Sequence, residues 1–196
     1  MDLYVVKYTG PFGFIKPWTA VRDGETFSQQ FLTPSIVEGM EKKLFSELLK
    51  VKGEIKKIRR HRLSYQQIDS QQEQIQPRGW NTGRLLNKKS LLRERAIIIR
   101  GVLLNPTLFL AFDNEKDAKR AFNQHICLSR NEDILFPQEI IITNEDDFDS
   151  NEDLFSGFEL IFEENEKAFI VGHNRYKNGE PMYGWLKALG KPVKAF

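Results

Sequence analysis

Cysteine is almost missing from this chain of 196 residues: Cys127 stands alone, which rules out an internal disulfide and agrees with a reducing compartment. Histidine is nearly as scarce. His61, His125 and His173 are the only ones, and no pair has the spacing of a metal site. No apolar run approaches the roughly eighteen residues of a membrane span. The N-terminus lacks the basic-then-apolar order of an export signal. GxxxxGK[ST], GxSxG and HExxH are all absent, and Gly10-Pro11-Phe12-Gly13 does not fit a dinucleotide fingerprint. The acidic cluster Glu145, Asp146, Asp147 and Asp149 lacks the fixed glycine and final glutamate of a calcium loop, so a solvated linker is the better reading. Cofactor and metal are therefore expected to be none, an ordinary hydrolase is disfavoured, and a cytoplasmic protein without a membrane segment is predicted.

What is present is a substantial apolar fraction, 40%, with 15 phenylalanines, enough for the core of one elaborated domain. The net charge of +2 hides a strong segregation. Between Lys52 and Arg100 there are thirteen Lys/Arg against four Asp/Glu, a balance of +9. Between Glu132 and Glu166 there are thirteen Asp/Glu and no Lys/Arg, a balance of −13. Such asymmetry speaks to partners rather than to fold. The basic middle suits a polyanion, and the acidic segment is better placed against a protein.

Periodicity sketches the elements. Asp2 to Tyr8 reads as a strand. Thr33 is a good N-cap and Pro34 suits the first helical position, so a helix is predicted from Pro34 to Val51. Glu54 to Leu63 reads as a second strand, followed by a polar, Gln-rich excursion from Ser64 to Ser90. Arg95 to Val102 is a third strand, and Thr107 to Phe112 continues it or pairs with it. A short helix over Asn114 to Asn123 and a strand over Glu139 to Thr143 complete a βαββαβ order, so the fold class is α+β, ferredoxin-like. The acidic stretch from Asn144 to Asp153 reads as a linker. Beyond it, Phe158 to Phe162 and Ala168 to Val171 are predicted to form a hairpin.

The basic middle carries the best binding signal. Arg78, Arg84, Lys88, Lys89, Arg93 and Arg95 surround Trp80, with Asn81, Thr82 and Asn87 nearby. Cations for phosphates, an indole to stack a base and amides for base edges suit single-stranded RNA; the alternative is a solvated loop. Lys56, Lys57, Arg59, Arg60 and Arg62 form a second set. Simple alternation puts Lys57 and Arg59 on one face and Ile58 and Arg60 on the other. Such two-sided charge suggests an edge or projecting strand that contacts RNA or guards against aggregation. In the first loop, Phe12, Phe14, Lys16 and Trp18 combine aromatics with a cation, and core filling is the plain reading. Arg130 could face RNA or pair with Glu132 or Asp133.

Three segments carry a resemblance. The first runs from Thr9 to Phe45, a glycine-aromatic loop, Lys-Pro, then Thr33-Pro34-Ser35 opening a helix. The second is Arg93 to Val102 (RERAIIIRGV), and the third Cys127 to Leu135 (CLSRNEDIL). In this order they resemble the Cas five proteins, RAMP-superfamily subunits of Cascade-like class 1 CRISPR effector complexes, over roughly the first 145 residues. The resemblance implies a RAMP domain at 1–145 with a β-hairpin thumb inserted at about 64–92, and a region at 146–196 of acidic linker and C-terminal hairpin packing on it. It implies that the thumb grips the 5′ handle of the CRISPR RNA, with the first loop, Thr33, Ser35 and Arg130 near it. The implied partners are the backbone subunit, the large subunit and target DNA near the foot of the complex. One branch of the family cleaves repeat RNA without metal, using a tyrosine after the first helix with a lysine and a histidine. Here Phe45 stands near that tyrosine's place and Arg100-Gly101 replaces a lysine–histidine pair, which favours a non-catalytic cap for the RNA end. If the chain were such a nuclease, His61, Tyr65, Lys56 and Lys57 would be the substitutes. A protein-only structural adaptor is the third possibility.

Overall fold

A computed structural model of the chain describes residues 2–17, 24–75 and 96–194. In chain order the strands are β1 (Asp2–Thr9), β2 (Phe12–Gly13), β3 (Glu25–Phe27), β4 (Ile58–Ser64), β5 (Gln67–Ile75), β6 (Ala96–Leu104), β7 (Thr107–Phe112), β8 (Ile126–Cys127), β9 (Ile134–Asn144), β10 (Gly157–Ile161), β11 (Phe169–Asn174) and β12 (Glu180–Leu189). The α-helices are α1 (Pro34–Leu44), α2 (Glu115–Phe122), α3 (Glu145–Ser150) and α4 (Glu152–Phe155), with a 3₁₀ turn over Ser46–Lys50. One large sheet has the order β11-β12-β10-β4-β7-β1-β9-β8, and its ladders are antiparallel. A second sheet is built around β6, which pairs with β5 along one side and with β2 and β3 along the other. The fold is thus α+β with few helices.

Alternation assigns the two faces of the large sheet. Val6 and Tyr8 of β1, Leu108, Leu110 and Phe112 of β7 and Leu63 of β4 pack under Val37, Met40 and Leu44 of α1 and Ala118 and Ala121 of α2. On the other face, Leu3, Val5, Phe109 and Ala111 meet Phe148 and Phe155 from α3 and α4. With both faces covered, all six residues of β7 are buried. The Tyr8 hydroxyl donates to the Ala121 carbonyl at 2.7 Å and so ties α2 to the sheet.

Several boundaries differ from the sequence reading. The first helix stops at Leu44 because Phe45 leaves helical φ/ψ to bury its ring against Phe112, 5.9 Å between centroids. Strand β4 begins at Ile58 rather than Glu54. Before it, the fully enclosed Glu41 carboxylate of α1 accepts the backbone N–H groups of Lys56 (2.9 Å), Lys57 and Ile58 (2.8 Å). The Ser64–Ser90 excursion is no loop at its start, since Gln67 to Ile75 pair residue for residue with Leu104 to Ala96. Strand β7 does not pair with β6: Asn105, with φ of 46°, turns the chain out of the β6 sheet and into the large one. The acidic linker is in fact α3 and α4, capped by the side chains of Asn144 and Asn151. The last hairpin is also different, because β12 lies between β10 and β11 and keeps them apart.

The largest revision concerns β4. It is an interior strand between β7 and β10, and a register shift between Ile58 and Arg60 reverses the alternation there. Arg60 and Arg62 therefore lie on the face opposite Ile58, over the Phe148 ring, with guanidinium carbons 5.2 and 4.2 Å from its centroid. The Arg62 side chain is fully enclosed. It donates to the carbonyls of Phe148 (2.6 Å) and Phe155 (3.0 Å) and to the Glu159 carboxylate (2.9 Å). Arg60 forks onto Glu159 (2.5 and 2.8 Å) and reaches Asp149 at 2.6 Å. Lys187 of β12 joins Asp149 at 2.9 Å.

Removing one partner from a buried, hydrogen-bonded charge cluster costs about 3–5 kcal/mol, because the other is left unpaired in low dielectric. Arg62→Ala should therefore lose stability of that order in urea titration, while Arg62→Lys, without the planar fork, should recover only part of it. The Glu41 contact makes a second prediction. Glu41→Ala leaves three backbone donors without their acceptor and should cost about 2–3 kcal/mol by the same titration.

Candidate nucleic-acid interface

Three segments far apart in sequence meet at one end of β6. The loop after β1 lies hard against the 127–135 turn: a Cβ on Gly10 would lie 2.4 Å from the Ile134 carbonyl oxygen, and one on Gly13 2.3 Å from Leu128. At Gly10 the obstacle is backbone and no side chain fits, whereas at Gly13 the Leu128 side chain would have to move. Phe14 is consequently buried (3% exposed) and its ring is flanked by two guanidinium groups, Arg130 at 5.3 Å and Arg100 at 5.5 Å from the centroid. Gly101 beside Arg100 leaves room for the Phe27 ring of β3, which a Cβ would meet at 2.3 Å. Lys16 stands exposed beyond Phe14.

The electrostatics of this cluster are largely internal. The enclosed Asp133 accepts Arg130 through Nε (2.9 Å) and Nη2 (2.7 Å), and the guanidinium also reaches Gln71 at 3.1 Å. Asp133 holds the Arg130 pKa above its ordinary value even against partial burial. Arg100 pairs with Glu73 at 3.4 Å. A guanidinium held over an aromatic face gains about 0.5–2 kcal/mol, so the two arginines brace Phe14 and the base of the β5–β6 arm. Arg130 thus pairs with Asp133, and more loosely with Glu132 at 3.4 Å. The predicted RNA contacts Trp18, Arg78, Trp80, Arg84, Lys88, Lys89, Arg93 and Arg95 lie outside the described residues.

The other expected residues are dispersed. Thr33 is buried and caps α1 without a side-chain bond, while Ser35 is exposed at the rim of a separate groove. Arg59 points to solvent, 3.8 Å from Glu145. Arg60 does not project toward a ligand, because Glu159 and Asp149 consume its donors. Partial burial of Asp149 opposes its ionisation, but its hydrogen bonds to Arg60 and Lys187 carry its pKa down to about 2.

The four residues considered for catalysis do not form one constellation. Lys56 pairs with Glu54 at 3.3 Å. Lys57 is held by Asp117 (2.8 Å) and Glu47 (3.1 Å) and lies over the Phe45 ring. Tyr65 is buried and its hydroxyl donates to Gln30, while burial raises its pKa. His61 is 4% exposed, stacked on Phe162 at 5.1 Å, and burial pushes its imidazole down to about 4. Among the described residues, no three His, Cys, Asp or Glu side chains gather as a metal site requires. Sequence reasoning missed the structural role of Arg100 and the buried pairing of Arg60 and Arg62. The Arg-x-Arg spacing on β4 was a usable signal, once set against the acidic segment that follows.

His61 yields a pH prediction. Its folded pKa lies below the 6.5 of the unfolded chain, so only the unfolded state takes up a proton between pH 6.5 and about 4. Stability is then intact above pH 6.5 and falls as pH drops, by roughly 3 kcal/mol at the lower end. Urea midpoints taken across that window should show the fall, and His61→Phe should flatten it. The paired carboxylates Asp149 and Glu159, whose pKa values are lowered, lose their contribution only at lower pH.

No family model matches this chain, and no curated protein does. Twelve chains of solved structures do match. One, from a structure described as "CRISPR RNA-guided surveillance complex", superposes with a TM-score of 0.54 over 95% of this chain and 90% of that chain, at 11% identity. At that identity the likeness is one of fold: this chain shares the fold of a chain of a CRISPR RNA-guided surveillance complex.

Proposed function

We propose that this protein is a non-catalytic subunit of a CRISPR effector complex that binds and caps the 5′ handle of the CRISPR RNA. The observation that carries the reading is the meeting of the Gly10–Lys16 loop, Arg100 and Arg130 at the base of the β5–β6 arm. Those are the three segments that resemble the Cas five proteins, and the arm leads directly into the basic stretch 76–95. The shared fold supports the same reading. So does the strand order β9-β1-β7-β4 with α1 and α2 on one face, which suits a ferredoxin-like RAMP domain over about 1–145. On this reading 64–92 is the thumb, and 146–196 is an extension whose strands enlarge the domain's sheet.

The division of labour follows from charge. The basic arm would track phosphates, with Trp80 stacking a base. The backbone and large subunits would dock elsewhere, in the cytoplasm, with target DNA passing near the foot of the assembly. Burial of His61 and Tyr65, and the pairing of Lys57, favour a cap over a nuclease, since neither ring can reach a 2′-hydroxyl from where it lies.

Incubating the full chain with labelled repeat RNA in EDTA, read on native and denaturing gels, tests this. Binding without cleavage is expected. Reversing charge at Arg84, Lys88 and Lys89 should raise Kd by at least about tenfold and reduce its salt dependence. A discrete cut at a fixed repeat position would establish an endoribonuclease instead. Binding indifferent to the charge reversal would refute the thumb as the gripping element, and no binding by the assembled complex's subunit would leave a protein-only adaptor.

A further inference from the structure

A second basic and aromatic surface lies along α1, where the β11–β12 turn meets the segment after that helix. The turn is tightly built. The Asn174 side-chain oxygen accepts the Tyr176 N–H at 3.0 Å, and its carbonyl accepts the N–H groups of Lys177 (3.1 Å) and Gly179 (3.0 Å). Asn178 and Gly179 close it with φ of 50° and 77°. The Asn174 amide also sits over Gly53, where a Cβ would come within 3.1 Å of it at a φ of 74°. These contacts fix Tyr176 in place while leaving it 43% exposed.

Cations gather on that ring. Arg175, Lys52 and Lys42 lie 5.0, 5.5 and 5.8 Å from its centroid. Glu38 pairs with Lys42. Lys52 and Arg175 have no carboxylate partner among the described residues. Beside them runs a groove of about 750 Å³, lined in part by Phe162, Met182 and Tyr183, with Ser35 at its rim. Such a volume takes a nucleotide-sized group.

Two unpaired cations beside an exposed ring repel each other and raise the local positive potential. The two carboxylates that line the groove are already engaged, Glu38 by Lys42 and Glu54 by Lys56 at 3.3 Å, which leaves Lys52 and Arg175 to face an anionic partner. An unpaired base with its flanking phosphates matches both the π-surface and the charges. We propose that this groove is a second site for single-stranded nucleic acid, separate from the arm at β5–β6. One base stacks on Tyr176, and Lys52 and Arg175 hold the adjoining phosphates. RNA and DNA share that chemistry, so both serve as probes.

The test uses the full chain carrying the Arg84, Lys88 and Lys89 charge reversals, so that the arm's contribution is already removed. Fluorescent oligouridylate and oligothymidylate are titrated by anisotropy at several salt concentrations. Tyr176→Ala should raise Kd by about tenfold for at least one oligomer, and Tyr176→Phe should hold it within about twofold. Lys52→Glu with Arg175→Glu should reduce the salt slope by about 1.4, the value for two single-strand phosphates. The better-bound oligomer identifies the nucleic acid. Unchanged affinity in folded Tyr176→Ala and in the double charge reversal overturns the proposal and points the groove toward protein. Absence of all binding while Tyr176 is intact overturns it too. Neither result bears on handle capping, which is judged by the effect of the arm reversal on repeat RNA.

Discussion

Two arginines on one face of β4, Arg60 and Arg62, meet two carboxylates, Asp149 and Glu159, from the last quarter of the chain. The rest of the structure is arranged around that meeting. Arg62 cannot sit inside a protein without its partners, because an ammonium or guanidinium stripped of water costs several kcal/mol. The partners come from α3 and β10, so β4 can be an interior strand only when the C-terminal region has docked. Once it has, Phe148 and Phe155 seal the second face of the large sheet. The acidic segment is thus consumed in part by the fold itself.

A second constraint is close approach of backbone. Gly10, Gly13 and Gly101 each leave a space already claimed by another segment. Through them the loop after β1, the 127–135 turn and β3 close on β6, and Phe14 is trapped between Arg100 and Arg130. The resulting base is stiff and internally neutralised. It ties β5 and β6 to the loop after β1 and to the 127–135 turn. The surface at Tyr176 is built on the contrary plan, with a tight turn that leaves Lys52 and Arg175 without a carboxylate partner among the described residues.

Much of the element order was legible. The period-3.6 pattern located α1 and α2 because each buries one face, the apolar runs of β1 and β7 stood out because the sheet is covered on both faces there, and Thr33-Pro34 marked the start of α1. The pattern misled where a residue's partner was remote. Phe45 ended α1 early to reach Phe112, Glu41 delayed β4 by taking its approaching N–H groups, and a register shift turned Arg60 to the other face. The Gln-rich β5 was invisible because one side of it faces solvent and its pairing comes entirely from β6.

Composition and order along the chain determined the lack of an internal disulfide, the α+β alternation, the division into basic middle and acidic end, and the three segments resembling the Cas five proteins. Those are properties of residues and near neighbours. Tertiary structure alone decided which charges remain for a ligand. Arg60 and Arg62 are bound to carboxylates that lie adjacent only after folding, while Lys52 is brought to the Arg175-Tyr176 pair from a segment more than a hundred residues away. A charge is available to a partner only when the fold provides no counter-charge, and no local pattern records that.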